Sequence, residues 1–177
     1  MSVFAKNIFR FVLFILFQHY VLNKISSLHG FISPYLYYLF ILWLPFSIPR
    51  FQLMIVSFLF GLSLDYFMTT PGLHAAACVW IAFLRPFVIS ILTPKEFSEF
   101  SYREPSARAM GWRPYVVYVL ILTLFHHGYM VFLEWLSFGR FFDFILKVIG
   151  TTGISLLMII TVELVFPRQL KFRTNTS

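Results

Sequence analysis

The sequence GLSLDYFMTTPGLHAAA occupies residues 61–77 and joins two hydrophobic segments of the chain. It places the carboxylate of Asp65 near the end of the first segment, followed by a turn, His74 and a run of alanines that opens the second segment. An ionisable group at membrane depth is energetically costly, so it is usually retained for a specific role. Because the connection is so short, the two segments are predicted to be antiparallel neighbours.

The composition of the whole chain predicts a membrane protein. Of its 177 residues, 59% are hydrophobic and only 12% are charged, about half the charged fraction of soluble domains. The net charge of +7 does not indicate nucleic-acid binding, because the basic residues lie between hydrophobic runs and not on one tail. We therefore predict one integral membrane domain over residues 1–177.

Six hydrophobic segments approach the roughly 20 residues that a helix needs to cross a bilayer. Pro49-Arg50 separates the second segment from the third, and Thr69–Gly72 has the composition of a turn between the third and fourth. The sequence therefore predicts an all-α membrane protein, a six-transmembrane-helix bundle. The predicted spans are residues 3–22, 31–48, 51–68, 73–92, 114–136 and 144–166.

The basic residues predict the orientation, because cytoplasmic loops are enriched in lysine and arginine. If the N-terminus is inside, the cytoplasmic side carries Lys6, Arg10, Arg50, Lys95, Arg103, Arg108, Arg113, Arg168, Lys171 and Arg173, and the outer side Lys24, Arg140 and Lys147. We therefore expect an N-in/C-in arrangement. The long cytoplasmic loop, residues 93–113, is either a segment that binds a partner or the membrane surface, or a solvated connector.

Asp65 is expected to face protein and not lipid. Ser57, Gly61 and Asp65 recur every four residues and so share one helix face. Small residues on such a face let helices approach closely, and the next helix offers a matching stripe of Ala75, Cys78 and Ala82. Two interpretations stay open: Asp65 pairs with His74 near the outer surface, or it reaches the headgroup layer while His74 only begins the next helix.

Other polar residues within the spans have simpler expected roles. Arg85 is expected to extend to the inner interface, and Glu134 and Glu163 to reach water at helix ends. His126 and His127 point about 100° apart on their helix and lack a third ligand at matching spacing. We therefore expect no metal site, no cofactor and no catalytic residue, and the sequence contains no phosphate-binding loop or hydrolase motif.

The opening stretch resembles the rod shape-determining MreD family. That family has a hydrophobic helix ending in Gly-Leu-x-x-Asp, then a short turn, a glycine and a helix that opens with apolar and small residues. Gly61, Leu62, Asp65 and Gly72 match these positions here, and His74 follows in the next helix. The resemblance covers about twenty residues, and these five are the candidate interaction or structural residues.

The resemblance implies a non-catalytic scaffold or regulator in the bacterial inner membrane. MreD-like proteins act in the cell-elongation (Rod) complex, which carries out lateral peptidoglycan synthesis and maintains rod shape. The implied direct partner is MreC, with MreB, RodA and a class B penicillin-binding protein as indirect partners. The implied fold is similar to the substrate-binding subunits of energy-coupling-factor transporters.

Two other functions stay open from the residues themselves. The first alternative is a small-molecule-binding membrane subunit of a transporter, with a pocket lined by Trp80, His126, Thr151 and Thr152. The second is an intramembrane enzyme that uses Asp65 and His74, but the sequence offers no convincing nucleophile or second catalytic carboxylate. A polar pocket open to the outside would favour the first alternative.

Overall fold

The computed structural model describes residues 3–25, 32–93, 104–136 and 140–166. Within these ranges the chain forms α-helices and no β-strand, which confirms the all-α prediction. The helices are α1 Val3–Tyr20, α2 Leu39–Leu42, α3 Arg50–Met68, α4 Leu73–Leu92, α5 Ala107–Met110, α6 Trp112–Trp135 and α7 Phe141–Val165.

Five of these helices (α1, α3, α4, α6 and α7) are long and apolar enough to cross a membrane. Each of them carries exposed large apolar side chains on its outward face, mostly Phe, Leu and Ile, as expected for helices surrounded by lipid. The chain is therefore a multi-pass membrane protein. The bounds of α3 and α4 lie within one residue of the predicted spans at 51–68 and 73–92.

The second predicted span, residues 31–48, is not a continuous helix. Residue 31 lies outside the described residues, residues 32–36 are non-helical, and only the four-residue α2 is α-helical before Pro49. Pro34 and Pro45 explain part of this difference, because proline provides no backbone N–H and disrupts a helix interior. The prediction of a helix here was wrong, and we call residues 32–48 the irregular segment.

The irregular segment is nevertheless buried, since residues 36–44 are almost inaccessible to solvent. Its first half lies near the start of α4, where the rings of Tyr35 and His74 are 6.3 Å apart. Its second half lies further along α4, where Leu44 contacts Arg85. The segment therefore runs alongside α4 in the same direction, through the centre of the bundle.

Ring contacts and ion pairs give the directions of the long helices. α1 and α3 are parallel, because Phe11 packs on Phe60 and, further along both helices, His19 packs on Phe67. α3 and α4 form an antiparallel hairpin. α6 and α7 form a second hairpin, in which Lys147 near the start of α7 pairs with Glu134 near the end of α6.

The loop predicted at 93–113 packs against the bundle over its described part, and residues 94–103 lie outside the described residues. Glu104 is buried and accepts a hydrogen bond from Arg10 of α1 at 2.9 Å, and Lys6 pairs with the same carboxylate at 3.2 Å. Ser106 caps α5 by accepting the amide of Ala109. The solvated-connector interpretation is therefore wrong for residues 104–110.

Candidate functional site

The connection between α3 and α4 is a tight turn that needs two residues with positive φ. Thr69 ends α3 in the left-handed conformation (φ 56°), and Gly72 precedes α4 with φ 85°. Glycine adopts this conformation without steric cost, whereas in threonine the Cβ makes it energetically unfavourable. The amide of Thr70 donates to the carbonyl oxygen of Asp65 at 3.2 Å and closes the end of α3.

The buried carboxylate of Asp65 caps the N-terminus of α4. Its Oδ1 accepts the backbone N–H of His74 and its Oδ2 accepts that of Ala75, both at 2.9 Å. The first amides of a helix have no partner within the helix, and a negative charge there also interacts favourably with the helix dipole. Asp65 therefore satisfies two backbone donors of the following helix from the preceding one.

Side chains of the turn complete this arrangement. His74 Nδ1 lies 2.9 Å from Asp65 Oδ1, and the Thr70 hydroxyl donates to the same oxygen at 3.0 Å. A carboxylate beside Nδ1 favours the tautomer that carries its proton there. His74 Nε2 is buried and has no hydrogen-bond partner among the described residues. The expected Asp65–His74 contact is present, and both side chains are buried in the protein.

Gly61 brings the two helices into backbone contact. A Cβ built at Gly61 would lie 2.5 Å from the Cα of Ala75, so no larger residue fits without movement of a helix. The structure thus brings Gly61, Asp65, Gly72 and His74 together in the α3–α4 hairpin. Leu62 is separate: it is 46% exposed on the outer face of α3, as is Tyr66 at 82%.

His126 and His127 hold the irregular segment in place. His126 Nε2 lies 2.9 Å from the hydroxyl of Tyr37, and His127 Nε2 lies 3.1 Å from that of Ser155. Ser155 in turn accepts the amide of Tyr35 at 3.3 Å. These contacts give both histidines a packing role at the irregular segment. No group of three potential metal ligands occurs among the described residues.

Arg85 does not extend to the inner interface, so that prediction was wrong: the residue is only 1% exposed. Its guanidinium donates to the hydroxyl of Tyr118 at 3.0 Å and to the carbonyls of Leu44 and Pro45. Tyr118 donates to the carbonyl of Leu42 at 2.9 Å. The charged side chain therefore satisfies backbone acceptors that the irregular segment exposes inside the bundle.

Glu163 and Glu134 differ in their exposure to solvent. Glu163 is buried, so the expectation that it reaches water was wrong: Oε1 accepts the amide of Ala107 and Oε2 the hydroxyl of Tyr115, both at 3.0 Å. Glu134 is partly exposed and pairs with Lys147. The contacts of Glu163 hold the start of α5 against α7. Hydropathy alone does not predict this role.

A cavity of about 330 Å³ lies beside the turn. It is lined by Leu22, Asn23, Ile25, Ser33, Pro34, Tyr35, Met68, Thr70, Leu73, His74 and Glu134. The residues predicted for a transporter pocket do not gather there: Trp80 lies in an apolar groove with Tyr129, whereas His126 is fully buried. The cavity was not predictable from the sequence, because its lining residues come from four separate parts of the chain.

Comparisons with models of known protein families, with characterised proteins and with solved structures gave no match to this chain. The residues that resemble the MreD pattern lie in and beside the turn between α3 and α4. Gly61, Asp65 and Gly72 of that pattern all have a direct structural task in the α3–α4 hairpin.

Proposed function

We propose that the protein is a non-catalytic scaffold or regulator of the bacterial cell-elongation complex in the inner membrane, and that it supports lateral peptidoglycan synthesis together with MreC. One observation supports this most: the carboxylate of the motif accepts the backbone amides of α4. The residues that resemble the MreD pattern thereby shape a helical hairpin, and the one ionisable side chain among them, Asp65, is engaged by backbone amides. MreB, RodA and a class B penicillin-binding protein are then indirect partners.

The same geometry argues against the enzyme alternative. A general base must reach its substrate's proton at hydrogen-bond distance. Both oxygens of Asp65 already accept hydrogen bonds, and the residue is 3% exposed. Opening this carboxylate to a substrate would leave the first amides of α4 unpaired.

The proposal includes six crossings with both ends of the chain cytoplasmic. Five crossings correspond to the long helices, and the irregular segment is the sixth, because it passes beside α4 in the same direction. Non-helical backbone is tolerated at membrane depth where protein surrounds it. The segment's carbonyls at Leu42 and Leu44 accept side-chain hydrogen bonds from Tyr118 and Arg85.

MreC is proposed to contact the outer half of α3. Leu62 belongs to the motif yet contributes little to the hairpin interior, and Tyr66 is one helical turn further along the same exposed face. Residues four apart lie next to each other on a helix surface. The two side chains thus form an apolar and aromatic patch directly outside the buried turn, which we call the Leu62/Tyr66 patch.

Depletion of the protein in its native bacterium tests the proposal. The expected result is loss of rod shape, with incorporation of a fluorescent D-amino acid falling along the lateral wall while septal incorporation continues. Re-expression of the wild-type chain should restore both. Depleted cells that keep their shape and their lateral labelling would contradict the proposal.

The second candidate function is a small-molecule-binding membrane subunit, and the cavity beside the turn favours it. Its polar and apolar lining and its volume, at the lower end of the roughly 300–1,000 Å³ of ligand pockets, suit a small ligand. Uptake of a specific solute that disappears on depletion, in cells that stay rod-shaped, would favour this function over the scaffold.

A further inference from the structure

The cavity beside the turn lies at one end of the bundle, where α1 and α6 end and α4 begins. Its volume of about 330 Å³ corresponds to roughly ten water molecules at about 30 Å³ each. An occupant is therefore small. Because this end of the bundle is where the helices leave the apolar layer, an occupant can enter from water or from a lipid headgroup.

His74 is one of the lining residues of this cavity, and one nitrogen of its ring has no hydrogen-bond partner among the residues that the structure describes. Its Nδ1 is engaged by Asp65 and Thr70, which leaves Nε2 as the remaining ring nitrogen. With the proton on Nδ1, Nε2 of the neutral ring carries a lone pair. That atom is buried without a hydrogen-bond partner among the described residues, and a buried unpaired polar atom is costly. A donor from an occupant of the cavity would satisfy it.

Glu134 gives the cavity its charge. One carboxylate oxygen, Oε2, pairs with Lys147, and Lys147 itself is not among the lining residues. The described lining contains no lysine or arginine, whereas Asp65 lies directly behind His74. A lining that contains a carboxylate and no basic side chain favours a positively charged donor over an anion.

We propose that this cavity binds the protonated primary amine of a small molecule or of a phospholipid headgroup, held by the Glu134 carboxylate, His74 Nε2 and neighbouring hydroxyl groups. An ammonium group offers three donors and no acceptor, which suits such a lining. A divalent metal ion suits it less, because both oxygens of Asp65 are occupied and only His74 and Glu134 remain as ligands. This inference is independent of the scaffold proposal.

Binding of defined amines to the purified full-length protein tests the inference. In the first arm, ethanolamine and methylammonium are titrated calorimetrically, with ethylene glycol and acetate as neutral and anionic controls. In the second arm, native mass spectrometry compares retention of phosphatidylethanolamine with that of phosphatidylcholine. We expect saturable binding of an amine in at least one arm, and the arm that succeeds identifies the source of the amine.

Three variants assign the binding to this cavity. Glu134→Gln should weaken amine binding by about tenfold or more, because a charge-assisted hydrogen bond is replaced by a neutral one. Asp143→Asn removes a carboxylate at the start of α7 that does not line the cavity, and its affinity should stay within about twofold of wild type. Ser33→Leu should block binding by filling the cavity, which keeps the test valid if Glu134→Gln does not fold.

Three results would overturn the inference. The first is a cavity that holds water only, seen as the absence of saturable amine binding in both arms. The second is unchanged affinity in whichever of the Glu134→Gln and Ser33→Leu proteins folds. Equal binding of acetate or ethylene glycol would also contradict it, because the site would then not select for a cation.

Discussion

At the scale of single residues, Asp65 and Gly61 define the hairpin by different physical effects. Gly61 acts by lacking a side chain, which permits backbone contact with Ala75. Asp65 acts by supplying two acceptors where α4 has two unpaired donors. The protein-facing position of both residues on α3 was predictable, since small residues and a costly charge share one face of that helix. The backbone capping was not predictable, because it depends on the exact geometry of the turn.

Gly61→Ala is expected to destabilise the protein by about 1–3 kcal/mol, because the added methyl group overlaps the backbone of α4. Gly128→Ala is the matched control, since a Cβ there meets no atom within 4 Å, and it should be neutral or stabilising by up to about 1 kcal/mol. Denaturant unfolding in detergent measures both. Equal effects of the two substitutions would refute the proposed close contact.

Asp65→Ala is expected to cost about 2–6 kcal/mol, since two buried amides lose their acceptor at roughly 1–3 kcal/mol each. Hydrogen exchange of the His74 and Ala75 amides should accelerate strongly. Asp143→Ala, in the first turn of α7, removes a helix-terminal carboxylate at a partly exposed position and should cost about 1 kcal/mol or less. Unchanged exchange at His74 and Ala75 would rule out the capping role.

At the scale of elements, the long helices were predictable and the irregular segment was not. Proline and turn residues flank α3 and α4 in the sequence. The predicted ends of these two helices were therefore correct within one residue. Hydropathy depends only on how apolar the side chains are. It contains no information on whether backbone N–H and C=O groups form hydrogen bonds within a helix. Several groups that satisfy residues 32–48 lie far away in sequence, as Arg85 does from Leu44 and Ser155 from Tyr35. Pro34 and Pro45 were the local signals against a helix.

Arg85→Met is expected to loosen the irregular segment, because the carbonyls of Leu44 and Pro45 lose their donor. A loss of about 1–3 kcal/mol corresponds to roughly 5- to 150-fold faster amide exchange over residues 36–44. Arg113→Met changes an exposed arginine at the start of α6 and should leave that exchange unaltered. Mass spectrometry of peptides from this region provides the measurement, and slow exchange in Arg85→Met would contradict the assigned role.

At the scale of the whole molecule, the orientation is the claim that can be tested without a partner. Cys78 is buried, so the unaltered chain should not react with a membrane-impermeant maleimide. Pro71→Cys and Arg140→Cys should react in intact spheroplasts, whereas Arg108→Cys, at the opposite end of the bundle, should react only after the membrane is opened. All three positions are exposed in the folded chain. The reverse pattern would invert the proposed topology.

The scaffold proposal depends on contact with MreC, and co-purification from native membranes tests it most directly. We expect MreC to accompany the wild-type protein and to be lost from a Leu62→Ala/Tyr66→Ala variant, which changes the Leu62/Tyr66 patch and leaves the buried turn intact. Leu157→Ala/Leu164→Ala, on the equally exposed face of α7, should retain MreC. Absence of MreC from the wild-type preparation, or its equal recovery with both double variants, would contradict the proposed role.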